Sequence, residues 1–102
     1  MYSIKDIKTK TDDCLWKAIL SVKIKRLAKA GSLSYGSVPL EDCRWYTDTI
    51  ENGGQLIEAT SLGYEKGEIG VRTNEKFIKL SDMCAQEMSI VYNSALRHTS
   101  IN

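Results

Sequence analysis

Four side chains in this 102-residue chain could act as nucleophile, base or soft metal ligand: Cys14, Cys43, Cys84 and His98. Together they have the composition of a Cys3His zinc site, but their spacing argues against one. No two form a CxxC or HxxxH clip. Cys84 and His98 are ~21 Å apart if both lie on one helix at 1.5 Å per residue, too far for a single ion. No metal is expected. His98 is the only histidine and stands close to the end of the sequence, where a general base is poorly held. With Arg97 it suits the negative end of a last helix. Three widely separated cysteines do not read as a disulfide framework, and three reduced thiols is the simpler expectation. The glycines form neither GxGxxG nor GxxxxGK[ST], so no phosphate-bearing cofactor is expected.

Cys14 is the thiol with the most chemical promise. It stands in "TDDCLW", in the first turn of a predicted helix, where the helix dipole favours a thiolate. Asp12 and Asp13 act against this, because adjacent negative charge disfavours another anion. Further on, "CRWYTDTIENGGQLIEAT" resembles the strand pair of transglutaminase-like, papain-fold enzymes. Those place a helix-start Cys first, then a His two residues before a Trp, then, after a hairpin, an Asp followed by Ala-Thr. The resemblance implies Cys14 as the nucleophile, Trp45 as the Trp, and Glu58, ahead of Ala59 and Thr60, at the acid position. The His position holds Cys43, and a thiol cannot serve as the imidazole base. What the resemblance implies is therefore that fold with an inactive or altered site.

Charge is the other chemical signal. The net charge is only +1, yet residues 1–30 carry eight Lys/Arg against three Asp, a balance of +5. Residues 31–102 carry six Lys/Arg against ten Asp/Glu, a balance of −4. Either the two parts attract one another, within a subunit or across a dimer, or the basic part meets an anionic partner. On a helical wheel Cys14, Lys17, Ser21, Lys25 and Lys29 form one stripe, which marks Lys17, Lys25 and Lys29 as candidate anion contacts. Nucleic acid is the less favoured ligand. The stripe lacks the Arg, Asn and Gln that read bases, and a pI near 7.7 is below the usual basic footprint.

Those residues need elements to position them. Thr11–Asp13 give helix-start chemistry, and Leu15, Trp16, Ile19, Leu20, Val22, Ile24 and Leu27 recur at helical spacing up to Gly31. This predicts a helix over about 12–30 packed against a sheet, with Leu15 and Ile19 inside and the lysine stripe outside. "GSLSYGSVPLED" reads as a loop, or a loop with a short strand. "CRWYTDTI" reads as a strand with Trp45 and Tyr46 on opposite faces, and "ENGG" as a hairpin turn. "QLIEATSLGY", "IGVRT" and "KFIKL" continue the meander, with turns at "EKGE" and Asn74–Glu75. Ser81–Asp82 then introduces a second helix to about residue 97, with Cys84, Met88, Val91, Tyr92 and Ala95 on one face. "YSIKDIK" leans toward an edge strand.

The expected fold is a single α+β domain over 1–102: a three- or four-stranded antiparallel meander flanked by an N-terminal and a C-terminal helix. Trp45, Ile57, Ile69, Val71, Met88 and Val91 complete the expected core. No apolar run is long enough to cross a membrane, and "MYSIKDIKTKTDD" is unlike a signal peptide, so a cytoplasmic setting is expected. The function these features favour is a small non-enzymatic binding or inhibitor-type accessory protein, self-associating as a homodimer. Its contacts would be with a protein or a small anionic ligand, through Lys17, Lys25, Lys29, Trp45 and Tyr46. The alternatives are a papain-fold thiol enzyme or its inactive relative using Cys14 and Glu58, and a nucleic-acid module using the basic helix.

Overall fold

The computed structural model describes residues 10–35, 37–47 and 54–98. The expected edge strand in "YSIKDIK" lies outside them. The elements are helix α1 (Lys10–Tyr35), strands β1 (Ser37–Tyr46), β2 (Leu56–Glu65), β3 (Glu68–Thr73) and β4 (Phe77–Lys79), and helix α2 (Ala85–His98). The strands form one antiparallel sheet in the order β1-β2-β3-β4, the meander expected from the pattern of turns. A 3-10 turn at Leu80–Asp82 leads from β4 toward α2.

The turns follow from local chemistry. Lys66 and Gly67 both adopt positive φ, 52° and 82°, as a two-residue hairpin between twisted strands requires. Between β3 and β4, the Thr73 hydroxyl accepts the Glu75 and Lys76 amides at 3.2 and 3.0 Å. Gly70 admits no side chain, because a Cβ there would run into the Ile78 carbonyl and the Phe77 ring. Pro39, which cannot donate to a ladder, sits on the edge strand β1.

One face of the sheet is apolar and covered by both helices. Val38, Leu40, Cys43 and Trp45 of β1, Ile57, Ala59 and Leu62 of β2, and Ile69 and Val71 of β3 are buried there. Met88, Val91 and Ala95 of α2, with Leu20, Ile24 and Ala28 of α1, close the same cluster. The opposite face is charged and exposed, and its ions pair locally: Arg72 with Glu65, and Lys79 with Glu68 at 2.9 Å.

Two expectations give way to longer elements. Gly31 does not stop α1, which runs on to Tyr35. Most of the Gly/Ser-rich stretch, expected to be a loop or a loop with a short strand, belongs to the end of α1 and the first half of β1. The early start of β1 brings Val38 and Leu40 into the core, and that burial outweighs weak local propensity. Cys84 likewise precedes α2 and is exposed, so it does not belong to that helix's buried face.

The larger correction is the rotation of α1. Leu15 and Ile19, expected inside, are 57% and 37% exposed, and Val22 is 50% exposed. The buried residues Leu20, Ile24 and Ala28 recur at i, i+4 and i+8, on the side opposite the Leu15–Ile19–Val22 stripe. The apolar arc of this helix is wider than a single face can bury. The small Ala28, fully enclosed, marks the side of close approach.

β1 is interrupted by a bulge between Pro39 and Cys43, where Asp42 takes φ 52°. Helix α2 satisfies the backbone groups this frees. The buried Ser94 hydroxyl accepts the Glu41 amide at 3.1 Å and donates to the Glu41 carbonyl at 2.9 Å, which Arg97 also reaches at 2.9 Å. Ser94→Ala should therefore destabilise the protein by about 1–2 kcal/mol, since two part-buried hydrogen bonds are lost while Arg97 keeps the Glu41 carbonyl paired. Urea denaturation followed by far-UV circular dichroism measures it; a loss below ~0.5 kcal/mol would mean that water replaces the hydroxyl without penalty.

Candidate functional site

The thiols and the carboxylate of the enzyme alternative are not brought together. Cys14 is exposed on α1, in the helical layer. Glu58 lies between Ile57 and Ala59, whose side chains are buried under the helices, so Glu58 points from the other face of the sheet. There it stands in register with Arg44. The sheet separates the two groups. Cys43, at the position where the resemblance calls for histidine, is buried beside Ser94.

Thiolate chemistry is disfavoured at two of the three cysteines. Burial pushes the Cys43 thiol above its ordinary range, with the Ser94 hydroxyl and the Arg97 charge offsetting part of the rise. Partial burial also raises Cys84, and the Glu87 carboxylate adds to the effect, although hydrogen bonds from backbone amides oppose it. That carboxylate accepts the Cys84 backbone amide at 2.9 Å, the half of a capping box that starts α2. Asp13, expected to serve its own helix, instead accepts the Ala85 amide at 3.4 Å and ties α1 to the start of α2. Among the described residues no group of three His, Cys, Asp or Glu side chains is arranged to hold a metal.

The candidate anion contacts divide between two places. Lys17 and Lys25 line an open cleft of ≈ 560 Å³ between one flank of α1 and the β2–β3 turn, with Ser21 between them. Lys17 is partly buried there, not on an outward stripe as its wheel position implied. Lys29 does not line this cleft and is exposed farther along the helix. Ion pairs beyond residue 30 include Asp42–Arg44, Glu65–Arg72 and Glu68–Lys79. Half of the cations in that part are thus paired locally, and neither Lys17 nor Lys25 has an ion pair among the described residues.

The aromatic candidates also separate. Trp45 is 8% exposed and is part of the core, and its indole nitrogen is buried without a hydrogen-bond partner among the described residues. Tyr46 is 70% exposed on the other face, paired across the ladder with Leu56. Both touch a cleft of ≈ 570 Å³ at the end of β1 whose rim carries Asp82 and Glu87.

The surface that sequence reasoning missed is the outer side of α1. Leu15, Ile19 and Val22 form an exposed stripe at i, i+4 and i+7, with Arg26 continuing the line and Lys29 beside it. A signal was present: the apolar residues from Leu15 to Leu27 span about 200° of the helix circumference at ~100° per residue, too much for one sheet face. No protein-family model, curated protein or solved structure matches the chain. Among the described residues no helix is long and apolar enough to cross a membrane.

The thiols supply a direct check on this placement. A thiol-reactive probe at neutral pH should modify Cys14 at the rate of an ordinary exposed thiol, Cys84 more slowly because its thiolate is disfavoured, and Cys43 only after denaturation. Labelling of Cys14 orders of magnitude faster than a free thiol would reveal an activated nucleophile.

Proposed function

We propose that this protein is a small non-catalytic binding module that works through protein contacts, and that the outer side of α1 joins two copies in an antiparallel, two-fold dimer. One observation carries the reading: α1 is apolar on two opposite sides, and the described residues cover only one of them. Leu15, Ile19 and Val22 therefore have the character of an interface, and exposed apolar patches of this kind mark contact sites.

Charge favours pairing with a second copy in the antiparallel sense. Along the stripe the charge lies in the second half of α1, where Arg26 continues the line and Lys29 stands beside it. Antiparallel alignment keeps the two basic halves apart, where parallel alignment would set them side by side, and the opposed helix dipoles attract. A two-fold contact uses the same patch on both subunits and closes on itself. The main rival surface, Tyr46 with Leu56, lies on the opposite face of the sheet. Contact between that face and α1 would propagate as an open chain.

Each interface side chain counts twice in such a dimer. Ile19→Glu should weaken dimerisation at least ~100-fold, about 2.7 kcal/mol at 1.4 kcal/mol per tenfold, and leave the far-UV spectrum unchanged. Tyr46→Ala should leave the dimer intact. Light scattering across a dilution series reads both. A wild-type chain that stays monomeric at high concentration, or an Ile19→Glu chain as dimeric as wild type, contradicts the proposal. In the monomeric case an acidic amphipathic segment of another protein becomes the better occupant of the stripe.

A further inference from the structure

The second free side of α1 has a different chemistry, and it does not depend on the dimer. Lys17, Ser21 and Lys25 recur at i, i+4 and i+8 along the flank that faces the β2–β3 turn. The two lysine Cα atoms are ~12 Å apart along the axis, so their flexible four-carbon stems can bring both ammonium groups over Ser21. Across the cleft stand the hydroxyls of Tyr64 and Ser81. The one carboxylate in the lining, Glu68, is engaged by Lys79 at 2.9 Å. Two cations without an ion pair among the described residues remain, with three hydroxyls around them.

That inventory is rich in donors and poor in free acceptors. Lys17 is itself partly buried against the cleft, which fixes where its stem leaves the helix. The floor, in contrast, is apolar: Ile69, Leu80 and Met88 are buried residues that reach the cleft. At ≈ 560 Å³ the space lies within the ~300–1,000 Å³ range of small-molecule sites.

From this juxtaposition we infer that the cleft between α1 and the β2–β3 turn binds a small organic phosphate. Its phosphoryl oxygens meet Lys17 and Lys25 with hydroxyl donors from Ser21 and Ser81, and its organic part rests on the Ile69–Met88 floor. An inorganic ion would use the cations alone and leave the floor unused, so the organic ester should bind more tightly than free phosphate. A nucleic-acid backbone offers the same phosphoryl chemistry, but it would track exposed cations along the helix and show a steep salt dependence.

Isothermal titration of the full chain with phenyl phosphate, inorganic phosphate and a short DNA duplex separates these cases. Phenyl phosphate should bind in the millimolar range or tighter, at least several-fold better than inorganic phosphate. Lys17→Gln with Lys25→Gln should weaken it by at least ~10-fold, and Lys76→Gln, at the other end of the sheet, by less than ~2-fold. If the double variant does not fold, Lys25→Gln alone, together with amide shifts at Ser21, Tyr64 and Ser81 on titrating the wild-type chain, decides the same question. The inference is overturned if phenyl phosphate does not bind at ~10 mM, if Lys76→Gln weakens it as much as the cleft variants, or if only the duplex binds.

Discussion

A four-stranded meander has one apolar face to cover, and this constraint decides the surface of the molecule. Two helices share that face, so each can turn only part of its circumference inward. For α2 the division is clean, with Met88, Val91 and Ala95 inside and Leu96 and Arg97 outside. For α1 it is not. Burying Leu20, Ile24 and Ala28 forces Leu15, Ile19 and Val22 out on the far side, and it turns Lys17 and Ser21 toward the end of the sheet. The apolar stripe and the lysine-lined cleft are thus two consequences of a single rotation.

What fixes that rotation is the way the helical layer is tied down. Ser94 and Arg97 hold α2 on the bulge of β1 through the Glu41 backbone, and Asp13 reaches from α1 to the first amide of α2. Lys23 lies 5.8 Å from the ring of Tyr92, a cation–π contact on the flank of α1 that meets α2. With one flank of α1 against α2 and its inner side on the sheet, the cleft flank and the outer stripe are the sides left open. The charges of the sheet do not compete for them, since Arg44, Arg72 and Lys79 are paired with neighbouring acids.

Much of this fold is legible in the sequence because its signals are local. Hairpin chemistry at Lys66–Gly67 and Asn74–Glu75 sets the meander. Alternation around Trp45, Ile57 and Val71 sets the buried face, and helical spacing from Met88 to Ala95 sets α2. The rotation of α1 is not local. Leu15 and Leu20 have identical side chains, and only the position of α2 and the depth of the sheet face decide which is buried. The bulge at Glu41–Asp42 is hidden for the same reason, since its stabilising partner, Ser94, lies 53 residues away. Of the candidate site residues, the spacing of Lys17 and Lys25 was visible, but the cleft they share with Tyr64 and Ser81 exists only after folding. The placement of Cys14 and Glu58 on opposite sides of the sheet is equally non-local, and the faint thiol-enzyme pattern in the strands carries no sign of it.

The central claim is that the outer side of α1 is a contact surface between two copies. Hydroxyl-radical footprinting over a concentration series tests it at the side chains themselves. Oxidation of Leu15, Ile19 and Val22 should fall as concentration rises through the dimer transition, while Tyr46 and Leu56 on the far face stay equally reactive. If the α1 stripe remains as reactive at high concentration as at low, or if protection appears at Tyr46 and Leu56 instead, the contact lies elsewhere and the two-fold α1 pairing is wrong.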